Sequence, residues 1–434
     1  MRELQARNQI RGVREAILYW GFTLLSFGLL SMFTNYELVA ANLVIKPFDV
    51  IALAVLPVML LALLSSHGLR LTGATLIIGA YLLIHSWSAF ALGSANGIRE
   101  SVQTSELFLF FLTLHCLMLR VNWTTLGKAF IVGLIIVIIY NAAWHISHGF
   151  YAGWKRLEEA KLAFLILPTI VAAVAVTRTR QFRTGGMIVA IILVAVAILS
   201  GERKAQIHLV LLAGVLVWYR YFDLTRFSLV TGFAILVGVA LASGNAYVAH
   251  QFTALAGLGA ERFVTPAELL AGYIPTSMSN AQRGFALSVA RNLVDAHFWF
   301  GIGTNGYLEY VKASFPGAAQ WLLVGIHNEF LRVLVENGVV GFAAFCSIWL
   351  RAGSWFLFHA KYMTDAHAAT YLFFFCAFLM QVTFEGSGQE LFLIMVFVAL
   401  MPEIFSIEIM RFARRTLSAQ RQEASLGIRR PTDA

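Results

Sequence analysis

The sequence predicts an all-α, polytopic membrane protein with about twelve transmembrane helices and one large loop outside the membrane. Hydrophobic residues make up 59% of the 434-residue chain and charged residues only 13%, which excludes an ordinary soluble domain. About twelve apolar runs are long enough, or nearly so, to cross a ~30 Å hydrocarbon core. Aromatic residues recur at run ends, as in Tyr19-Trp20 and Trp218-Tyr219, where interfacial belts are expected.

The apolar runs divide the chain into four segments. Residues 1–243 hold about nine predicted spans, near 16–34, 48–65, 71–92, 105–119, 127–145, 161–177, 186–200, 205–219 and 227–243. Residues 244–326 form a long connection, and loops of this length are often functional. Residues 327–410 hold about three further spans, near 328–350, 368–384 and 388–406. A basic tail follows at residues 411–434.

The basic residues predict the topology. Arginines precede the first span, from Arg2 to Arg14, and recur in the tail, from Arg411 to Arg430. By the positive-inside rule both termini lie in the cytoplasm, which agrees with an even number of spans. The net charge of +9 is therefore explained by topology and does not indicate a nucleic-acid partner. The long loop then faces the outside.

The cysteines do not indicate a disulfide or metal site. Cys116, Cys346 and Cys376 all lie inside predicted spans, so there is no disulfide framework. The sequence also contains no Cys/His metal spacing, no Walker A motif and no glycine-rich nucleotide turn.

The long loop contains one predicted amphipathic helix, from Ser279 to His297. Its apolar residues recur every four positions, at Ala281, Phe285, Val289 and Leu293. Arg283 and Arg291 lie about 80° apart on another side. Arg283 is a candidate ligand for an anionic substrate. Arg291 is a second candidate, although contact with solvent or with lipid head groups is the favoured interpretation for it. An aromatic and glycine-rich turn follows at 298–307.

His327 is the strongest candidate for chemistry because it stands at the predicted outer end of a span. The positive end of the helix dipole favours a neutral imidazole there, as a general base requires. Asn328 is placed to orient this imidazole or a ligand. The structural alternative is a capping or interfacial histidine, the commoner role of a lone histidine.

The helix after His327 carries charges that lipid alone would not tolerate. Glu329, Arg332 and Glu336 are spaced i, i+3 and i+7, so they can form one neutralising chain along a helix face. Orientation of the base by a carboxylate is the alternative role for the acids. Gly338 and Gly341 follow, at a spacing typical of close helix packing.

A second polar turn interrupts the apolar runs at residues 200–205. Arg203 and Lys204 begin the next predicted helix, where the positive-inside trend and the helix dipole both disfavour cations. Their partner is either Glu202 or a diphosphate, which guanidinium binds through paired hydrogen bonds. Glu385, in the last outer turn, is placed on the same side.

Together these features indicate group transfer from a phosphorylated donor at the outer face. No nucleotide is available there, so the donor is expected to be lipid-linked, with a pyrophosphate leaving group whose charge arginines can stabilise. A transporter is the alternative, but transporters place polar groups near the bilayer midplane.

Three motifs resemble those of the O-antigen ligase and Wzy-type polymerase superfamily. Residues 327–341 resemble its pattern of His, then Asn, Ser or Gln, nine further residues and GxxG. Residues 283–303 resemble its arginine-bearing loop helix, which ends in a GxG turn. Residues 200–205 resemble its SxSRxA turn, except that Glu202 replaces the second serine.

The resemblance implies a GT-C-like, metal-independent and inverting glycosyltransferase of the bacterial inner membrane, with a periplasmic active site and no cofactor. The donor would be a glycan on undecaprenyl diphosphate. His327 would deprotonate an acceptor sugar hydroxyl, while Arg203 and Arg283 would bind the diphosphate. The other substrate contacts would be Lys204, Asn328 and Arg291.

Ligases and polymerases share these motifs and differ in the acceptor. The acceptor would be the sugar of a lipid A core for a ligase, which is preferred here, or the growing glycan on another lipid-linked repeat for a polymerase. Membrane lipids are the remaining expected partners.

Overall fold

The computed structural model describes residues 47–64, 72–91, 95–117, 266–271, 278–319, 324–384 and 394–407, with two short strands before them and a few isolated positions. In chain order the elements are β1 (Leu38–Ala40), β2 (Leu43–Ile45), α1 (Pro47–Leu64), α2 (Gly73–Ala91), α3 (Ala95–Leu117), α4 (Pro266–Leu270), α5 (Met278–Ala296), α6 (Gly306–Ser314), α7 (Glu329–His359), α8 (Asp365–Phe384) and α9 (Ile394–Ile407). A short 3-10 turn, Ala360–Tyr362, follows α7.

The described residues are helical, as predicted, except for one antiparallel hairpin. β1 pairs with β2 in a register that places Leu38 opposite Ile45 and Val39 opposite Val44. Aliphatic, partly β-branched residues suit a pleated strand, and in segments this short an apolar run does not distinguish strand from helix. The all-α class is confirmed for the described residues, and this hairpin of two three-residue strands is a local exception to it.

Two of the described helices are long and apolar enough to cross a membrane. They are α2 and the segment Glu329–Tyr362, which contains α7; shorter apolar helices lie at Phe48–Ala62, His367–Thr383 and Ile394–Ile407. Most of the run predicted at 16–34, and almost all of the runs predicted between 127 and 243, lie outside the described residues, so the total of about twelve spans stays a prediction.

α2 packs between α3 and α7 in the main helical core. The ring of Tyr81 on α2 lies 5.9 Å from that of Phe345 on α7. Tyr371 on α8 donates a 2.8 Å hydrogen bond to the carbonyl of Ala352 on α7. Contacts made by aromatic side chains thus join α7 to both α2 and α8.

The loop helix α5 is amphipathic as predicted, to within one residue at each end. The four predicted apolar residues are all buried, at Ala281, Phe285, Val289 and Leu293. They share a second core with Tyr307 of α6 and with Val335 of α7. Through Val335, α7 belongs to both the main core and the loop core.

α7 is broken at Gly338, where φ is 65° and ψ is −171°. The aromatic turn, residues 297–305 between α5 and α6, lies against this break. Four backbone hydrogen bonds, here called the backbone clasp, join them: donor first, Ile302 to Val335 (3.0 Å), Gly303 to Glu336 (2.9 Å), Val339 to Phe298 (2.9 Å) and Val340 to Trp299 (3.3 Å). The turn therefore satisfies amides and carbonyls at the break, as broken helices require in lipid.

Glycine is required on both sides of the clasp. A Cβ on Gly338 would overlap the backbone of Trp299 and Phe300, and a Cβ on Gly301, where φ is 70°, would overlap the backbone of Glu336. The atoms nearest to a Cβ on Gly338 belong to the aromatic turn. The close packing predicted at Gly338 is therefore against this turn and not against another helix.

Gly341 lies against α2, as predicted for the pair, but its main constraint comes from α7 itself. A Cβ at this position would overlap the side chain of Asn337 and would lie 3.4 Å from the side chain of Ile84 on α2, an ordinary van der Waals contact. The small residue is therefore required chiefly by the side chain of Asn337.

We expect Gly338→Ala to destabilise the protein strongly. The positive φ and extended ψ form a region that only glycine occupies without strain, at a cost of about 1–3 kcal/mol, and the overlap with the turn adds to it. The apparent Tm in detergent should fall, whereas the control Gly284→Ala, whose added Cβ meets nothing within 4 Å, should keep or raise it. An unchanged Tm for Gly338→Ala would contradict the clasp.

Candidate active site

The N-terminus of α7 positions His327. Asn328 is the N-cap, and its side-chain oxygen accepts a 2.9 Å hydrogen bond from the amide of Leu331. On the other side, Ile326 is buried in the loop core beneath α5. His327 is half-buried between these two fixed residues. Its backbone is thus held where the loop core meets the start of α7.

The chain of charges predicted on α7 is confirmed. Arg332 holds Glu329 through two hydrogen bonds, from Nη2 at 2.6 Å and Nε at 2.8 Å, and its Nη1 donates to Glu336 at 3.2 Å. The same Nη1 also donates at 3.0 Å to Glu100, which lies on α3. These four side chains, here called the arginine cluster, are almost fully buried.

A polar layer connects the arginine cluster to α2 and to the aromatic turn. Thr304 donates a 2.9 Å hydrogen bond to the carbonyl of His85 and accepts one of 3.2 Å from Asn337. Asn305 donates to Glu100, and the Nε2 atom of His85 lies 3.8 Å from the same carboxylate. Three helices and the turn therefore meet in one polar network at the start of α7.

The two loop arginines lie on the exposed side of α5. Arg283 and Arg291 are both exposed, while the opposite face of α5 packs towards α7. The helix that carries these cations is thus a direct neighbour of the helix that begins after His327. Nearby, burial raises the pKa of the Tyr307 phenol in the loop core, which keeps that group protonated at neutral pH.

Several predicted site residues lie outside the described residues. These are Arg203 and Lys204, with Glu202 beside them, and Glu385 in the last outer turn. Their roles, and the expected independence of metal and cofactor, stay predictions. For Asn328 the structure adds a capping role to the predicted substrate contact.

Sequence reasoning missed the partners of α7 on other helices. α3 begins at Ala95, before the apolar run predicted at 105–119. Glu100 lies in this earlier part of the helix and is buried. His85 lies inside an apolar run, where an ionisable residue usually has a specific role. That signal was present in the sequence and could have marked His85 as a site residue.

The fold and site define a helical membrane-type protein in which a loop helix and a broken helix build a polar site. Residues 188–346 match the family model described as O-antigen ligase. The match supports the resemblance of this part of the chain to the O-antigen ligase and Wzy-type superfamily. The matched range contains α5, the aromatic turn and His327. No curated protein matches the chain.

We expect Arg332→Met to destabilise the protein by about 3–5 kcal/mol, because it leaves buried carboxylates without their counter-ion. A fall in the apparent Tm of the purified protein measures this change. Lys312→Met, which removes an exposed cation from α6, is the matched control and should leave the Tm nearly unchanged. Equal Tm values for the two variants would show that the cluster is not needed for stability.

Proposed function

We propose that the protein is an O-antigen ligase-type glycosyltransferase. It transfers a glycan from undecaprenyl diphosphate to a sugar hydroxyl of lipid A core at the periplasmic face of the inner membrane. The observation that carries the proposal is the position of His327, one residue before the N-cap of α7, which is the helix that the arginine-bearing helix α5 contacts.

His327 acts as the general base. It takes the proton from the acceptor hydroxyl while that oxygen attacks the anomeric carbon of the donor. The bond between that carbon and the diphosphate oxygen breaks in the same step, so the configuration inverts and undecaprenyl diphosphate leaves. The N-terminus of α7 favours the neutral, proton-accepting imidazole. Tyr307 is a poor substitute because its raised pKa leaves almost no phenolate at neutral pH.

The diphosphate is bound by cations outside the arginine cluster. Arg332 is already shared among three carboxylates, so the cluster is formally negative and repels an anion. Arg283 on the exposed side of α5 is the first donor to the diphosphate, with Arg291 farther along the same helix. Arg203 and Lys204 complete the set, and Asn328 contacts the acceptor sugar through the part of its amide that does not cap α7.

The backbone clasp argues against transport as the activity. Transporters use the free amides and carbonyls at broken helices to bind substrates and ions. At the break in α7, the carbonyls of Val335 and Glu336 and the amides of Val339 and Val340 are hydrogen-bonded to the aromatic turn. The break in α7 therefore binds the aromatic turn, and the backbone groups named here are not available to bind a transported solute.

We expect His327→Ala to lower glycan transfer by about 100-fold to 10,000-fold, the usual contribution of a general base. Transfer to lipid A core from purified lipid-linked donor is the measurement, with protein amount and Tm as folding checks. His297→Ala removes an exposed histidine of the same loop and should retain activity. Full activity of His327→Ala would remove His327 as the base.

A strain whose only copy is His327→Ala identifies the acceptor. Loss of long glycan from lipopolysaccharide, with lipid-linked polymer still present, is the result expected for a ligase. Accumulation of single lipid-linked repeats would instead identify a polymerase, because the chain would then fail to elongate before transfer.

Arg203→Ala should lower turnover roughly tenfold to over a hundredfold, the value of a charge-assisted contact worth ~1.5–3 kcal/mol. The loss should affect kcat and not only donor affinity, since the contact strengthens as the diphosphate leaves. Arg203→Lys should recover little, because an ammonium group does not reproduce a bidentate contact. Lys312→Ala is the control. Equal kinetics for wild type, Arg203→Ala and Arg203→Lys would leave Glu202 as the only partner of Arg203.

A further inference from the structure

Three consecutive aromatic side chains on the aromatic turn are exposed, although the backbone that carries them is fixed by the clasp. Phe298 is 48% exposed, Trp299 64% and Phe300 62%. The neighbouring glycines of the turn, Gly301 and Gly303, are buried. A rigid apolar patch of this kind marks a contact surface for a protein or a membrane.

Hydrogen bonds to α2 give the level of the turn along the helices. Ser88 of α2 donates at 3.0 Å to the carbonyl of Glu336, the same oxygen that accepts from Gly303 of the turn. Ser88 lies about 5 Å from the end of α2 at Ala91. α2 itself is about 29 Å long, which matches a ~30 Å hydrocarbon core. The turn is therefore level with one boundary of that core.

The part of α7 after the break gives the same boundary. Residues 339–358 have a length of about 30 Å as a helix, and Arg351 is their only charged residue. Arg351 is paired with Glu403 of α9 and donates at 2.9 Å to the carbonyl of Ala399. Lys361, over the ring of Tyr362 at 4.9 Å, follows at the far end, as expected of an interfacial anchor.

α2 presents exposed aromatic side chains at the level of the turn. Trp87 is 66% exposed and Phe90 61% exposed, and they flank Ser88, the residue that is bonded to the Glu336 carbonyl. Aromatic rings, and tryptophan above all, prefer the interfacial region of a bilayer. Two segments distant in sequence thus place exposed rings at one boundary of an apolar layer.

We propose that the aromatic turn is a membrane anchor for the periplasmic loop. The side chains of Phe298, Trp299 and Phe300 insert into the interfacial region of the phospholipid bilayer, at the level of Trp87 and Phe90. The anchor fixes the position of α5 relative to the membrane surface, and the clasp fixes α7 relative to the turn. The partner is the lipid surface itself.

Nitroxide labels at single cysteines test the anchor. Cys116, Cys346 and Cys376 are first replaced by alanine, and the protein is reconstituted in vesicles of phosphatidylethanolamine and phosphatidylglycerol. Labels are placed by Trp299→Cys and, as a second variant in case the first fails to fold, by Phe300→Cys. Trp87→Cys is the reference for a lipid-facing site. Asn292→Cys and Asp295→Cys, on the exposed side of α5, are the aqueous controls.

Collision with oxygen, which concentrates in lipid, is compared with collision with a water-soluble nickel chelate. The labels at positions 299 and 300 should favour oxygen, as at position 87, while those at 292 and 295 should favour nickel. Preference for nickel at 299 and 300 would overturn the anchor. Protection from both reagents would also overturn it, because a protein surface would then cover the turn. A lipid signal that arises only after lipid-linked donor is added would assign the patch to the donor chain instead.

Discussion

Backbone hydrogen bonding at the break in α7 is the constraint on which the rest of the described structure depends. A helix in or near lipid cannot leave its amides and carbonyls without partners, so the break at Gly338 exists only because the aromatic turn supplies them. The turn is the continuation of α5, and its last two residues, Thr304 and Asn305, enter the polar network. One backbone contact therefore places the loop helix, the arginine cluster and His327 relative to one another.

The arginine cluster fixes the relative positions of α3 and α7 more than it adds to the stability of the fold. Removing several charges from water costs free energy that their mutual attraction only partly offsets, so the cluster is weak evidence for a stable fold. It is strong evidence for a defined one, because Arg332 binds Glu329 of its own helix through Nε and Nη2 and binds Glu100 of α3 through Nη1. The start of α7, and with it His327, is fixed against two other helices.

The parts of this arrangement that could be predicted from sequence are the local ones. The buried face of α5 follows from a four-residue apolar period, and the contact of Arg332 with Glu329 and Glu336 follows from helical spacing. Glu100 could not be paired with α7 in this way, nor His85 with the aromatic turn, because nothing near them in sequence indicates a partner more than two hundred residues away. The glycine spacing at Gly338 predicts helix packing, but the same spacing also fits a break in the helix, and only the turn that lies against Gly338 distinguishes the two.

The backbone clasp and the bond between Arg332 and Glu100 differ in the length of chain that they enclose. The clasp joins the turn to α7 across a short loop, whereas the bond between Arg332 and Glu100 encloses 232 residues. Loop-closure entropy rises with the logarithm of length, so the longer closure costs about 1.5 kcal/mol more. α5, the turn and α7 thus form a local unit, whose contacts enclose less chain than the contacts with the N-terminal helices. The polar network joins this unit to α2 and α3, so it is complete only when both halves of the chain are in place.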